Sequence, residues 1–227
     1  MLQPKLFDAP QLDEAPRVIV ERDGVVTYDP YFVDPWAGDE LFQQLRAETP
    51  WKQEYLRMYG REIAFPRLTA WYGDRGASYS YSGIHNEPLA WSGALRTLRD
   101  QLRTRLGVRF NSVLLNLYRS GRDSLSWHAD DEPELGEEPI IASVSLGATR
   151  RFLLKHVATG EVIEISLEHG SLLVMSGSTQ GHWKHQVPKE AKVFSERINL
   201  TFRVIDARRN DSGSLPPARS KGTGKTG

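Results

Sequence analysis

From Asn111 onward the chain breaks into short apolar runs separated by turn residues. N-S-V-L-L-N-L-Y (111–118) reads as a strand, the polar turn Ser120-Gly121-Arg122-Asp123 ends it, and a second extended run carries the chain through His128 to Asp130. Similar runs follow at Ile140 to Leu146, Arg151 to His156, Val162 to Leu167, Ser171 to Met175 and Val193 to Val204. Turns such as Ala158-Thr159-Gly160-Glu161 and His169-Gly170 part them. Many short strands at this spacing predict a sandwich or jelly roll rather than a βαβ fold.

Upstream the pattern is mixed. Val18 to Val20 and Val25 to Tyr28 flank Arg22-Asp23-Gly24 and predict a short hairpin. Leu41, Phe42 and Leu45 stand at helical spacing after Pro35 and Gly38, which predicts a helix over 39–48. A second helix is predicted from Leu95, Leu98, Leu102 and Leu106, with Pro88 at its start and Gly107 as its stop. Its opposite face carries Arg96, Arg99, Arg103 and Arg105, expected in solvent. Between the helices, 51–69 reads as strands around Met58-Tyr59-Gly60-Arg61, and Trp71, Tyr72, Tyr79 and Tyr81 lie in a glycine-punctuated loop region. Those aromatics either pack beneath the loop or offer faces on which unpaired bases stack.

At 227 residues and 39% apolar, the chain can bury one sizeable core. The expected division is a flexible start (1–16), an N-terminal extension with helices and a lid (17–110), a core (111–206) and a disordered tail (207–227). That tail holds Arg208, Arg209, Arg219, Lys221 and Lys225 against Asp211, and can add salt-sensitive affinity for phosphate backbones. The 29 basic and 29 acidic residues balance, so a nucleic-acid surface would have to be local. With no cysteine, thiolate metal sites and disulfides are excluded, and His and carboxylates remain as metal ligands. No apolar stretch reaches membrane-spanning length and the N-terminus lacks a signal peptide's apolar core, so a cytoplasmic monomer is expected.

His128 and Asp130 are two apart on an extended run, so they share a face and can hold one side of a metal ion. One later histidine would complete a two-His-one-carboxylate triad, a donor set suited to Fe(II) that leaves coordination positions open. His156, His169, His182 and His185 are all available. Spacing alone does not choose between His182 and His185.

Six segments taken together, L-N-L-Y, W-H-A-D-D-E, I-I-A-S-V-S-L-G-A-T-R-R-F, H-G-S-L-L-V-M-S-G, H-W-K-H-Q-V-P-K and R-I-N-L-T-F-R, resemble the AlkB family of Fe(II)- and 2-oxoglutarate-dependent nucleic-acid dealkylases, in matching order from about Tyr28 to Val204. The resemblance is closest to the subgroup of human-type DNA repair dioxygenases. It implies a mainly β (α+β) fold: a double-stranded β-helix, or jelly-roll, core with N-terminal helices and a substrate-recognition lid. It implies Fe(II) on His128, Asp130 and His185, with 2-oxoglutarate and O2 as cosubstrates. The cosubstrate's two carboxylates would meet Arg197 and Arg203, with Asn199, Thr201, Asn116 and Tyr118 beside them. Residues 197, 199, 201 and 203 do share one strand face, and a dianion calls for guanidinium forks.

The same resemblance puts Asp131 and Glu132 against the damaged base and Tyr79 and Tyr81 in the loop that sandwiches it. Met58, Tyr59 and Gly60 match a hairpin tip that wedges into duplex DNA, and Phe65, Pro66 and Arg67 match a DNA-contacting segment. The implied partner is methylated DNA carrying N1-methyladenine or N3-methylcytosine, or RNA with the same lesions. Separately, Gln3-Pro4-Lys5-Leu6-Phe7 resembles the peptides that dock on bacterial sliding clamps, an expected contact of a mobile terminus.

Overall fold

The structure is a computed structural model that describes residues 15–58, 61–77, 79–81, 84–86 and 88–206, without the side chains of 56–58, 79–81 and 84–86. The elements in chain order are β1 Arg17–Val20, β2 Val25–Asp29, α1 Pro35–Glu48, β3 Tyr55–Met58, β4 Arg61–Ala64, β5 Leu68–Gly73, β6 Tyr79–Tyr81, β7 Ile84–Asn86 and α2 Gly93–Leu106. Then follow β8 Ser112–Tyr118, β9 Leu125–His128, β10 Ile141–Gly147, β11 Arg150–His156, β12 Val162–Leu167, β13 Leu172–Ser176, α3 Thr179–His182, β14 Trp183–Val187 and β15 Arg197–Arg203.

The last eight strands form two facing sheets. One runs β13-β10-β15-β8 and the other β12-β11-β14-β9, all antiparallel, and the chain passes from one sheet to the other at nearly every turn. This is the expected double-stranded β-helix. The division at residue 110 is not a boundary in space, because β1 and β2 extend the first sheet beyond β13 and β5 extends it beyond β8.

Period-two patterning explains how that sheet creates a site. In β15, Ile198, Leu200 and Phe202 enter a core shared with Leu95, Leu98 and Leu102 of α2, while Arg197, Asn199, Thr201 and Arg203 line a cavity on the opposite face. β8 does the same, with Val113, Leu115 and Leu117 in the core and Asn116 and Tyr118 on the cavity side. Both faces of these strands are therefore buried, one among apolar side chains and the other among polar ones. A second core cluster, including Leu154, Leu173, Met175 and Trp183, joins side chains of both sheets.

Both helices begin away from the expected residues. The first starts at Pro35 rather than Asp39, because Asp34 caps it by accepting from the backbone N–H groups of Trp36 (3.0 Å) and Ala37 (3.2 Å), with Pro35 at its first position. The second starts at Gly93 rather than Pro88: Ser92 is its cap, and Leu89 is engaged with β5 through bonds to Trp71 and Gly73. It stops at Gly107, in the left-handed conformation (φ 70°), as expected. The arginine face is not all solvent: Arg99 lies over the Trp91 ring and Arg105 bonds Asp29 at 3.2 Å.

Trp71 and Tyr72 belong to a strand rather than a loop. They lie in β5, where Tyr72 is buried against the core and the Trp71 indole donates to Ser112 Oγ at 2.7 Å. The expected hairpin around residues 58–61 is present as β3 and β4, and β6 pairs with β7 as a second small hairpin. Tyr59 and Gly60, Gln3 to Phe7 and the basic tail from Ala207 lie outside the described residues, as do the side chains of Met58, Tyr79 and Tyr81. Among the described residues, no helix is long and apolar enough to cross a membrane.

Candidate active site

The cavity between the two sheets measures about 600 Å³. On its floor His128, Asp130 and His185 place one ligand atom each within 4.8 Å of the others. Cross-strand pairing explains why: β14 sets His185 directly opposite His128 of β9, and the rings meet edge to face with centroids 4.1 Å apart. His182 lies elsewhere, so the fold makes the choice that spacing did not.

Each member of the triad is held in a ligating form. The carbonyl of Ser126 lies 2.8 Å from His128 Nδ1 and can only accept, so Nδ1 carries the proton and Nε2 presents a lone pair. Burial, reinforced by repulsion from His128, pushes His185 down to about 3, so its imidazole is neutral across the physiological range. Burial alone would raise Asp130; the Arg203 guanidinium, with smaller contributions from His185 and His128, outweighs it and holds the carboxyl below its usual range. Asp130 Oδ1 accepts from Arg203 Nη2 at 2.5 Å, and its backbone N–H donates to Gln180 Oε1 at 2.9 Å.

Beside the triad lies an anion-binding wall. Arg197 is 1% exposed and spends Nη2 on Ser145 Oγ (2.9 Å), while its buried Nε and Nη1 have no hydrogen-bond partner among the described residues. Burial lowers it to about 10, so it remains cationic at neutral pH. Its guanidinium stands over the Tyr118 ring, 5.3 Å from the centroid. A buried cation with two unused donors is costly unless an anion meets it. Asn199 is fixed by Ser143 Oγ (2.7 Å) and by the Thr201 hydroxyl, which donates to Asn199 Oδ1 at 3.0 Å. A dicarboxylate beside the triad would meet Arg197 at one end and find Arg203 near the other, so these residues fit 2-oxoglutarate and the triad fits Fe(II).

Toward the mouth, two expectations change. Arg67, expected in a DNA-contacting segment, is only 7% exposed: it lines the cavity, donates to Asn116 Oδ1 at 2.7 Å and lies over the Phe65 ring. Phe65 and Pro66 line the cavity with it. Asp131, expected against the damaged base, is exposed and not part of the lining, because β9 ends at His128 and the chain turns. Glu132 reaches the cavity instead, and its Oε2 is buried without a hydrogen-bond partner.

Several contributors carry no motif. Gln180 holds Asp130 from fifty residues away, and Arg150, 1% exposed, gathers the carbonyls of Ser120, Asp123 and Pro188 and the Glu190 carboxylate behind Tyr118. Ser143 and Ser145 had a weak signal: two hydroxyls two apart in the otherwise apolar run of β10 mark one polar face.

Residues 25–203 match the 2OG-Fe(II) oxygenase superfamily. The chain is 43% identical to the human alpha-ketoglutarate-dependent dioxygenase alkB homolog 3 over 212 residues, which covers 84% of this chain and 73% of that protein. It is 40% identical to the human DNA oxidative demethylase ALKBH2 over 179 residues, covering 74% and 69%. The solved structure of OsALKBH1 superposes with a TM-score of 0.59 at 18% identity, covering 78% of this chain and 97% of that one, a likeness of fold. Sequence, architecture and the residues on the cavity floor lead to one assignment: this chain belongs to the AlkB family of the 2OG-Fe(II) oxygenase superfamily.

Proposed function

We propose that this protein is an Fe(II)- and 2-oxoglutarate-dependent dioxygenase that oxidatively demethylates alkylated bases in DNA. The observation that carries the reading is the meeting of three features in one cavity: the His128, Asp130 and His185 triad, the unpartnered donors of Arg197, and the unpartnered carboxylate oxygen of Glu132. The relatives' names, an alkB homolog dioxygenase and a DNA oxidative demethylase, support it.

Iron, 2-oxoglutarate and O2 together supply the oxidation of an N-methyl C–H bond, with succinate and CO2 as co-products and a hydroxymethyl group that leaves as formaldehyde. The protein's own residues bind, orient and exclude. His128, His185, kept neutral by burial, and Asp130, kept ionised by Arg203, would hold the metal. Arg197 would bind a carboxylate of the cosubstrate by charge-assisted bonds. Glu132 lines the cavity with a buried carboxylate oxygen that has no hydrogen-bond partner among the described residues. A carboxylate there favours N1-methyladenine and N3-methylcytosine, which carry a positive charge that the unmodified bases lack.

The direct test incubates the protein with iron, 2-oxoglutarate and oligonucleotides bearing each lesion, in single-stranded DNA, duplex DNA and RNA, alongside a methylated peptide. Mass loss of one methylene with stoichiometric formaldehyde on DNA is expected. Turnover confined to RNA or to peptide would overturn the DNA reading while keeping the oxygenase. A cytoplasmic monomer and a sliding-clamp contact through Gln3 to Phe7 complete the proposal, checked by light scattering and by calorimetry with the N-terminal peptide.

A further inference from the structure

The molecule contains a second cluster with the donor set of the first. Asp23, His156 and His182 place one ligand atom each within 4.8 Å of one another, and none of the three lines the active-site cavity. They come from three different segments: the β1–β2 turn, the end of β11, and the junction of α3 with β14. We propose that Asp23, His156 and His182 form a second metal site that takes a divalent transition-metal ion of the zinc class, independent of the catalytic iron.

The surrounding bonds hold the three ligand-bearing segments together without using the metal-facing groups of Asp23 or His182. The Trp183 indole donates to the Arg22 carbonyl at 3.1 Å, which ties the turn to β14. The Val157 N–H donates to the His182 carbonyl at 2.8 Å, which ties β11 to α3. Asp23 itself adopts a left-handed backbone (φ 54°), and Gly24 beside it must be glycine, since a Cβ there would meet the backbone of Thr179 at 2.5 Å. The turn is thus fixed against α3 before any ligand arrives.

Within this frame the histidines play different parts. His156 is buried; its Nδ1 accepts from the Thr159 N–H at 3.1 Å, with the Thr159 hydroxyl also 3.1 Å away, so Nε2 bears the N–H that donates to Asp23 Oδ2 at 3.0 Å. His182 is exposed, and among the described residues no hydrogen bond engages its ring. The two imidazoles are nearly parallel (11°) with centroids 6.3 Å apart, too wide for contact stacking. About a zinc ion with bonds of roughly 2.0–2.2 Å, ligand atoms lie about 3.0–3.5 Å apart. Closing from the present spacing asks for rotations of the two exposed side chains and a local adjustment of Thr159, whose N–H now donates to His156 Nδ1. Binding would displace the His156 Nε2 proton; with Nδ1 protonated instead, the Thr159 N–H must give up its bond to Nδ1 and the Thr159 hydroxyl turn to accept from it, which supplies the outer bond that zinc-bound imidazoles normally make. Arg22, 3.8 Å from Asp23, is already paired with Glu161 at 2.5 Å. Two imidazoles and a carboxylate suit zinc, nickel or copper, and the fourth position faces solvent.

Equilibrium dialysis of the full chain against Zn2+ should give two equivalents in the native protein and one in each of His182→Ala, Asp23→Asn and His185→Ala. His182→Ala is exposed and removes no buried contact, and Asn tolerates the left-handed turn, so neither variant is expected to misfold. In the His185→Ala background, saturating Zn2+ should raise Tm by about 5 °C or more, and adding His182→Ala should abolish that rise. Co2+ in the same background should give visible absorption bands that also vanish with His182→Ala. A single equivalent in the native protein that His185→Ala removes would overturn the proposal, and so would two equivalents that survive His182→Ala, since Asp23 and His156 would then be no more than a hydrogen-bonded clasp.

Discussion

The cluster of His128, Asp130 and His185 and the cluster of Asp23, His156 and His182 have the same chemical composition and opposite surroundings. The first lies on the floor of a 600 Å³ cavity walled by Arg67, Arg197 and Arg203, with Asp130 and His185 almost fully buried. The second lies at a surface turn outside that cavity, with Asp23 and His182 exposed. Donor type therefore decides that a metal can bind, and the cavity decides whether anything can react there. What distinguishes the active site is the anion wall: beside the first triad lie Nε and Nη1 of the buried Arg197, which have no hydrogen-bond partner among the described residues.

The largest effect should come from exchanging the two histidines of H-W-K-H. His185→Ala should abolish formaldehyde release and lower iron affinity steeply, while His182→Ala should leave both within twofold of the native protein. Anaerobic iron titration with a coupled formaldehyde assay measures the pair; equal losses would mean that the clusters do not have separate roles.

Next in size are the arginines. Arg203→Lys should raise the 2-oxoglutarate KM on the order of 10- to 100-fold, because a point charge replaces a planar fork and the hold on Asp130 loosens. Arg197→Met should cost at least as much in KM yet make the cofactor-free protein more stable by about 1–3 kcal/mol, the usual cost of buried donors left unsatisfied. A Tm that falls in Arg197→Met would show that Arg197 is a structural cation and not a waiting anion site. The second cluster offers no such trade, since its exposed groups are already solvated.

How far the sequence foretold this contrast depends on the kind of signal. The alternation in R-I-N-L-T-F-R put Arg197, Asn199, Thr201 and Arg203 on one face, and so they stand, because a strand's period of two survives any tertiary setting. The strand β14 was not foreseen: Trp183, His185 and Val187 alternate with Lys184 and Gln186 over only five residues, too short to read beside the turn residues before it. In β5, Leu68 and Thr69 fall within the expected strands, whereas Trp71 and Tyr72 read as loop because their aromatic, glycine-flanked stretch resembles the segment that follows. The second cluster was illegible as a cluster. Asp23, His156 and His182 are far apart in sequence, and only the addition of β2 to the edge of the core sheet brings the turn to the other two.

A smaller effect on turnover should follow from Glu132→Gln, which keeps the shape and removes the charge. Turnover of the cationic lesions should fall on the order of tenfold, equal to about 1.4 kcal/mol, while a neutral lesion such as N3-methylthymine should lose much less. Competition between the two lesions in one reaction reads this directly. Equal losses on both would mean that Glu132 orders the mouth of the cavity rather than selecting charge.

The smallest effects belong to the second cluster and appear in stability alone. Asp23 contributes a hydrogen bond to His156 and accepts a left-handed backbone, and three substitutions separate those contributions. Asp23→Asn keeps an acceptor oxygen and tolerates φ 54°, so without metal it should change stability by less than about 0.5 kcal/mol. Asp23→Gly keeps the backbone and loses the bond, a cost of about 1 kcal/mol at this half-exposed position. Asp23→Ala loses the bond and adds left-handed strain of about 1 kcal/mol, for about 2 in all. In a chain of this size those steps correspond to Tm falls of roughly 2–4 °C per kcal/mol, measured in chelator. All three should release formaldehyde at the native rate, because nothing in this cluster touches the cavity. A variant that lost activity in proportion to its Tm would instead reveal that the turn holds β14, and with it His185, in place.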